Sequence, residues 1–196
     1  MVYLKTKVMD LVRRLGTDDA PWQRGCFTAG VCPVEGGPHA ARMTAELAIL
    51  AARQTSARIL MIETNPVHRI ADSVFHLGPN APGLAEMLAP PPNNRFDTIH
   101  PTQIPNLFVM PAGRLRKMPT EEQMRWVHSV LSTHFQGMVI ELPPMGELRA
   151  KEFCSRIPNA VVLVSHAGCS TWAVKRAVRR LHAADLPIAA TSLVGP

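Results

Sequence analysis

The sequence has few of the features that mark metal, membrane and secreted proteins. Its four cysteines show no CxxC pair or other spacing typical of metal ligands, so no cysteine-based zinc site is predicted. No apolar run approaches the roughly 18 to 20 residues that a membrane-spanning helix needs. Charged residues near the start interrupt any secretory signal. We therefore expect a cytoplasmic protein whose cysteines stay reduced.

Aromatic and charged residues are also scarce, at 5% and 18% of the chain, and Tyr3 is the single tyrosine. Because aromatics are few and no recognition motif is present, nucleic-acid binding is not expected. The net charge of +6 still allows contact with anionic partners. A hydrophobic fraction of 46% over 196 residues is enough for a core, which excludes wholesale disorder.

The spacing of apolar residues predicts two parts. Residues 1–20 carry an apolar stripe at helical spacing, which predicts an N-terminal amphipathic helix, and residues 21–196 are expected to form a single domain. In that domain, short apolar runs alternate with helical stretches, which predicts an α/β fold with a mostly parallel open sheet flanked by helices. The predicted strands are Gly25 to Ala29, Arg58 to Glu63, Leu107 to Pro111, Met138 to Leu142, Ala160 to Ser165 and Ile188 to Val194. The predicted helices are His39 to Gln54, Leu84 to Leu88, Glu121 to His134, Glu147 to Ile157 and Trp172 to Ala184.

The loop after the first predicted strand has the context of a phosphate-binding loop. It contains Glu35, Gly36, Gly37, Pro38 and His39 between a strand and a long helix. A P-loop needs a lysine for the phosphates and a Ser or Thr hydroxyl for Mg²⁺, and here Gly37 and Pro38 stand at those positions. We expect ATP and Mg²⁺ as cofactors only if this degenerate loop still binds them.

Two other strand ends carry carboxylates. Glu63 and Glu141 each follow a predicted strand and are the candidate catalytic residues and Mg²⁺ ligands. The alternative is that they are polar strand ends that face solvent or a helix N-terminus. His39 and His166 also lie on loops that should converge, where His39 could contact an anion or simply begin a helix.

The helix that begins near Trp172 has basic residues on one face: Lys175, Arg176, Arg179 and Arg180. A solvated face is the favoured interpretation. An interaction stripe for an acidic partner or an anionic polymer is the alternative.

The order of six segments resembles the catalytic domain of the bacterial tyrosine kinases of exopolysaccharide assembly (CpsD/CapB-like), within the ParA/MinD group of P-loop ATPases. Pro33 to Gly36 resembles that family's PGEG, and Ile59 to Asn65 its VLLIDAD. Gly83 to Leu88 resembles GLSDVL, and Ile104 to Gly113 resembles IPNLxVLPAG. Val139 to Pro144 resembles VIIDTPP, and Ala160 to Gly168 with the following helix resembles the late strand and helix.

The resemblance implies a P-loop NTPase fold, but the family's catalytic residues do not carry over. The phosphate lysine is Gly37, the Mg²⁺ hydroxyl is Pro38, and the second Asp of the DAD motif is Asn65. The first Asp of that motif and the Walker B Asp correspond to Glu63 and Glu141. We therefore expect a non-catalytic relative, a pseudokinase or pseudo-ATPase.

The implied role is a regulatory or scaffold partner in polysaccharide synthesis or export. The implied partner is the cytoplasmic part of a membrane polysaccharide co-polymerase or export complex, which would place the chain at the inner face of the membrane. The resemblance also leaves self-association into a homo-oligomer open. Two alternatives stand beside this reading: an active atypical P-loop ATPase or protein tyrosine kinase, and a MinD-like positioning or regulatory ATPase.

Overall fold

The computed structural model describes residues 26–90, 96–146, 158–185 and 188–194. The predicted N-terminal helix in residues 1–20 and the predicted helix from Glu147 to Ile157 lie outside these residues. None of the helices described is both long and apolar enough to cross a membrane.

The described chain forms an α/β fold around one sheet. Its strands are β1 (Phe27–Pro33), β2 (Ile59–Ile62), β3 (His100–Pro101), β4 (Leu107–Met110), β5 (Gly137–Glu141), β6 (Ala160–His166) and β7 (Ile188–Val194). Its α-helices are α1 (His39–Gln54), α2 (Ile70–Val74), α3 (Leu84–Met87), α4 (Glu121–Leu131) and α5 (Thr171–His182). The strand order is β3-β4-β2-β5-β1-β6-β7, and β3 is antiparallel to β4 while the other described pairs are parallel. The predicted mostly parallel sheet is confirmed.

Both faces of the inner strands are buried, which explains why these strands are nearly continuous apolar runs. Alternate residues of β2 point to opposite sides, so that Leu60 and Ile62 pack into one core while Ile59 and Met61 pack into the other. The first core includes Met124 of α4 and Leu181 of α5. The second core contains the buried face of α1.

The predicted first strand was placed too early and ended too soon. The strand continues to Pro33, because β6 still pairs beside it there, with Pro33 in register with Val164. On the other side, the pairing with β5 stops at Val31, so the missing N–H of Pro33 interrupts no bond of that ladder. The short helix α2 and the two-residue strand β3 were not predicted from the sequence.

Candidate functional site

The loop between β1 and α1 lies at the carboxyl end of β1, an interior strand of the sheet. The Val34 amide donates to the Val164 carbonyl at 2.8 Å and so extends the pairing of β1 with β6 into the loop. Gly37 has a φ of +143°, which side-chain-bearing residues rarely adopt. Pro38 is the N-cap of α1, and the helix begins at His39 as the sequence predicts. Because Pro38 has no amide hydrogen, this helix start lacks one of the backbone donors that usually hold an anion.

A cluster of ligating side chains lies where this loop meets the end of β6. The His166 Nε2 atom is 3.3 Å from the Glu35 Oε2 atom. The imidazole rings of His39 and His166 stack with centroids 5.6 Å apart. The Gly168 amide donates to the His166 Nδ1 atom at 3.0 Å, which leaves the proton of a neutral ring on Nε2, facing the carboxylate.

Cys169 completes this cluster. One ligating atom from each of Glu35, His166 and Cys169 lies within 4.8 Å of the others. Burial raises the pKa of the Cys169 thiol, and the neighbouring Glu35 raises it further. The sequence predicted that the loops of His39 and His166 converge and placed Glu35 in the phosphate-binding loop. It did not predict that Cys169 lies with Glu35 and His166. The available signal was the spacing of His166 and Cys169, which are three residues apart at the end of β6 and in the loop that follows it.

Glu63 follows β2 and is completely buried. Its Oε1 atom accepts a hydrogen bond from the Ala71 amide at 2.6 Å, at the start of α2, and its Oε2 atom accepts one from the Ala112 amide at 3.4 Å. Burial raises the pKa of this carboxyl to about 7, against the opposing effect of the two amides. The side chain therefore joins the first turn of α2 to the segment after β4.

Glu141 is the last residue of β5 and is also buried. Burial raises the pKa of its carboxyl to about 8, and repulsion by Glu63 adds to this effect. Its Oε2 atom has no hydrogen-bond partner within the described residues. With both pKa values at or above 7, the pair retains at least one proton near neutral pH.

These groups are a poor fit for a Mg²⁺-nucleotide. Mg²⁺ binds ionised carboxylates and keeps several of its own water ligands. Both carboxylate oxygens of Glu63 instead accept hydrogen bonds from backbone amides inside the core. The Asn65 Oδ1 atom accepts hydrogen bonds from the backbone amides of Val67 and His68. The Asn65 side chain therefore stabilises the turn that it begins. The loop after β1 offers Gly37 where a lysine would neutralise phosphate charge. The assignment of Glu63 and Glu141 as catalytic residues or Mg²⁺ ligands remains a prediction.

A cleft of about 180 Å³ lies beside the loop, between Glu35 and the face of α5. Trp172 is 65% exposed at its rim, and the Arg176 guanidinium lies 5.1 Å from the centre of the indole ring. The cleft also reaches Arg180, whose guanidinium donates to the Met145 carbonyl. The basic residues of α5 thus include two that line a concave surface.

Two motifs of the family resemblance dock on each other in the structure. The Leu84 and Ala85 amides donate to the Pro111 and Ala112 carbonyls at 2.8 and 3.2 Å. A Cβ atom on Gly83 would overlap the Pro111 carbonyl, so only glycine allows this approach. These segments therefore fix the start of α3 on the end of β4.

Comparison with known proteins shows which solved structures share this fold. No family model and no curated protein sequence matches the chain. Among solved structures, the kinase domain of VpsO has a TM-score of 0.80 and 17% sequence identity, over 100% of this chain and 95% of that one.

Two further structures show the range of the similarity. The kinase domain of the Escherichia coli tyrosine kinase ETK has a TM-score of 0.74 and 19% identity, over 96% of this chain and 74% of that one. The cell division ATPase MinD of Pyrococcus furiosus has a TM-score of 0.62 and 20% identity, over 83% of this chain and 69% of that one. The chain therefore has the P-loop ATPase fold of the ParA/MinD group, in the form seen in bacterial tyrosine kinase domains.

Proposed function

We propose that this protein is a P-loop-fold domain without phosphoryl-transfer activity, which serves as a regulatory or scaffold partner in polysaccharide synthesis or export. The observation that carries the proposal is the loop after β1. Gly37 and Pro38 replace the lysine and hydroxyl that phosphate and Mg²⁺ require, and Pro38 also removes an amide donor at the helix start.

The buried carboxylates support the same proposal. In an active site, carboxylates near a nucleotide must be ionised and reachable by hydrated Mg²⁺. Glu63 and Glu141 are buried, and their pKa values of about 7 and about 8 keep protons on the pair near neutral pH. Glu63 instead holds α2 and the Ala112 amide.

Calorimetry of the full chain with ATP and ADP in the presence of Mg²⁺ tests the absence of nucleotide binding. We expect no heat of binding up to high micromolar nucleotide. Tight binding by the wild-type chain would overturn the proposal in favour of an active atypical ATPase or kinase. The double variant Gly37→Lys, Pro38→Ser restores the missing lysine and hydroxyl. Nucleotide binding by this variant would show that the rest of the nucleotide pocket keeps its shape. Since Gly37 has a φ of +143°, thermal unfolding of that variant is followed as its folding control.

The scaffold role rests on the resemblance to exopolysaccharide tyrosine kinases and on the fold shared with VpsO and ETK kinase domains. It predicts a stable complex with the cytoplasmic part of a membrane polysaccharide co-polymerase. Co-purification of the two proteins measures complex formation. The cytoplasmic part of an unrelated membrane protein is the control. Equal recovery with both would contradict the role. A MinD-like positioning ATPase is the alternative supported by the fold shared with MinD, and it requires nucleotide binding.

A further inference from the structure

The side chains of Glu35, His166 and Cys169 form a cluster whose chemistry differs from that of a phosphate site. A carboxylate from the loop after β1, an imidazole from the end of β6 and a thiol from the loop after β6 converge, with one ligating atom from each within 4.8 Å of the others. We propose that this cluster binds a zinc-like divalent transition metal, with Glu35, His166 and Cys169 as its three protein ligands and water in the fourth position.

The ligand types favour zinc over Mg²⁺. Zinc accepts thiolate, imidazole and carboxylate ligands together, whereas Mg²⁺ prefers oxygen ligands alone. Metal–ligand bonds of about 2.0 to 2.3 Å place tetrahedral ligands about 3.3 to 3.7 Å apart, so contraction from the present spacing is modest. Glu35 is exposed and His166 and Cys169 are partly exposed, so the metal can enter from solvent.

The surroundings hold the ligands in place. The His39 ring stacks on His166 and limits its rotation. The Cys169 amide donates to the His166 carbonyl at 2.9 Å, so the backbone makes a tight turn between the two ligands. A cation between Glu35 and Cys169 also relieves the repulsion between a carboxylate and a thiolate.

Binding changes the protonation of the cluster. The Cys169 thiol releases its proton to solvent as the metal–sulfur bond forms. His166 ligates through the Nε2 atom that faces Glu35, so the ring proton moves to Nδ1 and the hydrogen bond from the Gly168 amide is given up.

Titration of the reduced full chain with Zn²⁺ and with Co²⁺ alone tests the proposal. We expect one metal per chain and a thiolate-to-cobalt charge-transfer band. Cys169→Ser should abolish the band and weaken Zn²⁺ binding more than about 100-fold, since even loss of an outer partner of a metal ligand costs about 10- to 100-fold. Glu35→Gln should weaken binding and keep the band.

Cys26→Ser is the matched control, because Cys26 is also a free thiol of intermediate exposure and lies outside the cluster. This variant should bind as the wild type does. Thermal unfolding without metal shows that each variant is folded. A charge-transfer band that survives in Cys169→Ser, or that disappears in both serine variants, would overturn the site. So would a cobalt complex of the wild type that lacks the band.

Discussion

At the scale of single residues, the buried carboxylates link this fold to solution pH. Glu63 and Glu141 have pKa values of about 7 and about 8 in the folded protein, against an ordinary value of 4.5. A carboxyl whose pKa is raised by folding binds its proton more tightly in the folded state. The protonated carboxyl therefore contributes its full stabilisation of the folded state below about pH 4.5, and this contribution is lost as the pH rises towards 8.

Glu141→Gln should remove part of this dependence, because glutamine keeps the shape and carries no charge. We expect the free energy of unfolding of the variant to exceed that of the wild type at pH 8 by an amount on the order of 1 kcal/mol or more. Near pH 5 the advantage should largely vanish. Urea unfolding at both pH values measures this.

The matched control is Glu46→Gln, on the exposed side of α1. This substitution should leave the pH profile of stability as it is in the wild type. A profile of Glu141→Gln that runs parallel to the wild type from pH 5 to 8 would contradict the assignment.

Gly83 shows a second effect at the residue scale. In Gly83→Ala, the added methyl group would overlap the Pro111 carbonyl, so the start of α3 must separate from the end of β4. We expect a loss of about 1–3 kcal/mol of stability, as for other overpacked core positions. Chemical denaturation measures it, with Gly36→Ala as control because a Cβ at Gly36 meets open space. Equal losses in the two variants would argue against the close approach.

At the scale of elements, Asn106 ties the end of α1 to the start of β4. Its Nδ2 group lies 2.9, 2.8 and 2.9 Å from the carbonyl oxygens of Ala52, Thr55 and Ala57. The last carbonyls of a helix have no partner within it, and this amide lies within hydrogen-bond distance of one of them, that of Ala52, and of the C-cap carbonyl of Thr55. The asparagine of the segment that resembles IPNLxVLPAG thus has a structural role here.

Asn106→Asp should weaken this junction, because it replaces the donor with an acceptor that faces carbonyl oxygens. We expect a loss of about 1–3 kcal/mol at neutral pH. Thermal unfolding measures it, and the same change at Asn80, an exposed residue, is the control. A variant that unfolds at the wild-type temperature would show that the junction contributes little.

The elements also show what the sequence could predict. The long helix α1 and the buried strands other than β1 have strong periodicity or continuous apolar runs, so their positions followed from the sequence. Helix α2 did not, because its start depends on Glu63, a residue from another element that accepts from the Ala71 amide. The cluster of Glu35, His166 and Cys169 was missed for a similar reason, since its members meet only when β1 and β6 pair.

At the scale of the whole molecule, the proposed function predicts how nucleotide affects stability. A ligand that binds the folded state at 100 times its Kd adds about 2.7 kcal/mol. We expect the midpoint of thermal unfolding to stay the same with and without millimolar Mg²⁺-ATP. The same measurement with Zn²⁺ should raise the midpoint in the wild type and in Cys26→Ser, and leave it unchanged in Cys169→Ser. A rise with Mg²⁺-ATP would contradict the proposed lack of binding.

The position of β1 between β5 and β6 has a consequence for synthesis on the ribosome. β1 pairs with β5 and β6, which are made much later, and the Thr28 amide donates to the Asn159 side chain 131 residues further on. At about 5 to 20 residues per second, the emerging strand waits on the order of ten seconds for these neighbours. During that time its apolar residues stay uncovered, so we expect a nascent chain that is stalled before β6 to engage chaperones more strongly than the released protein.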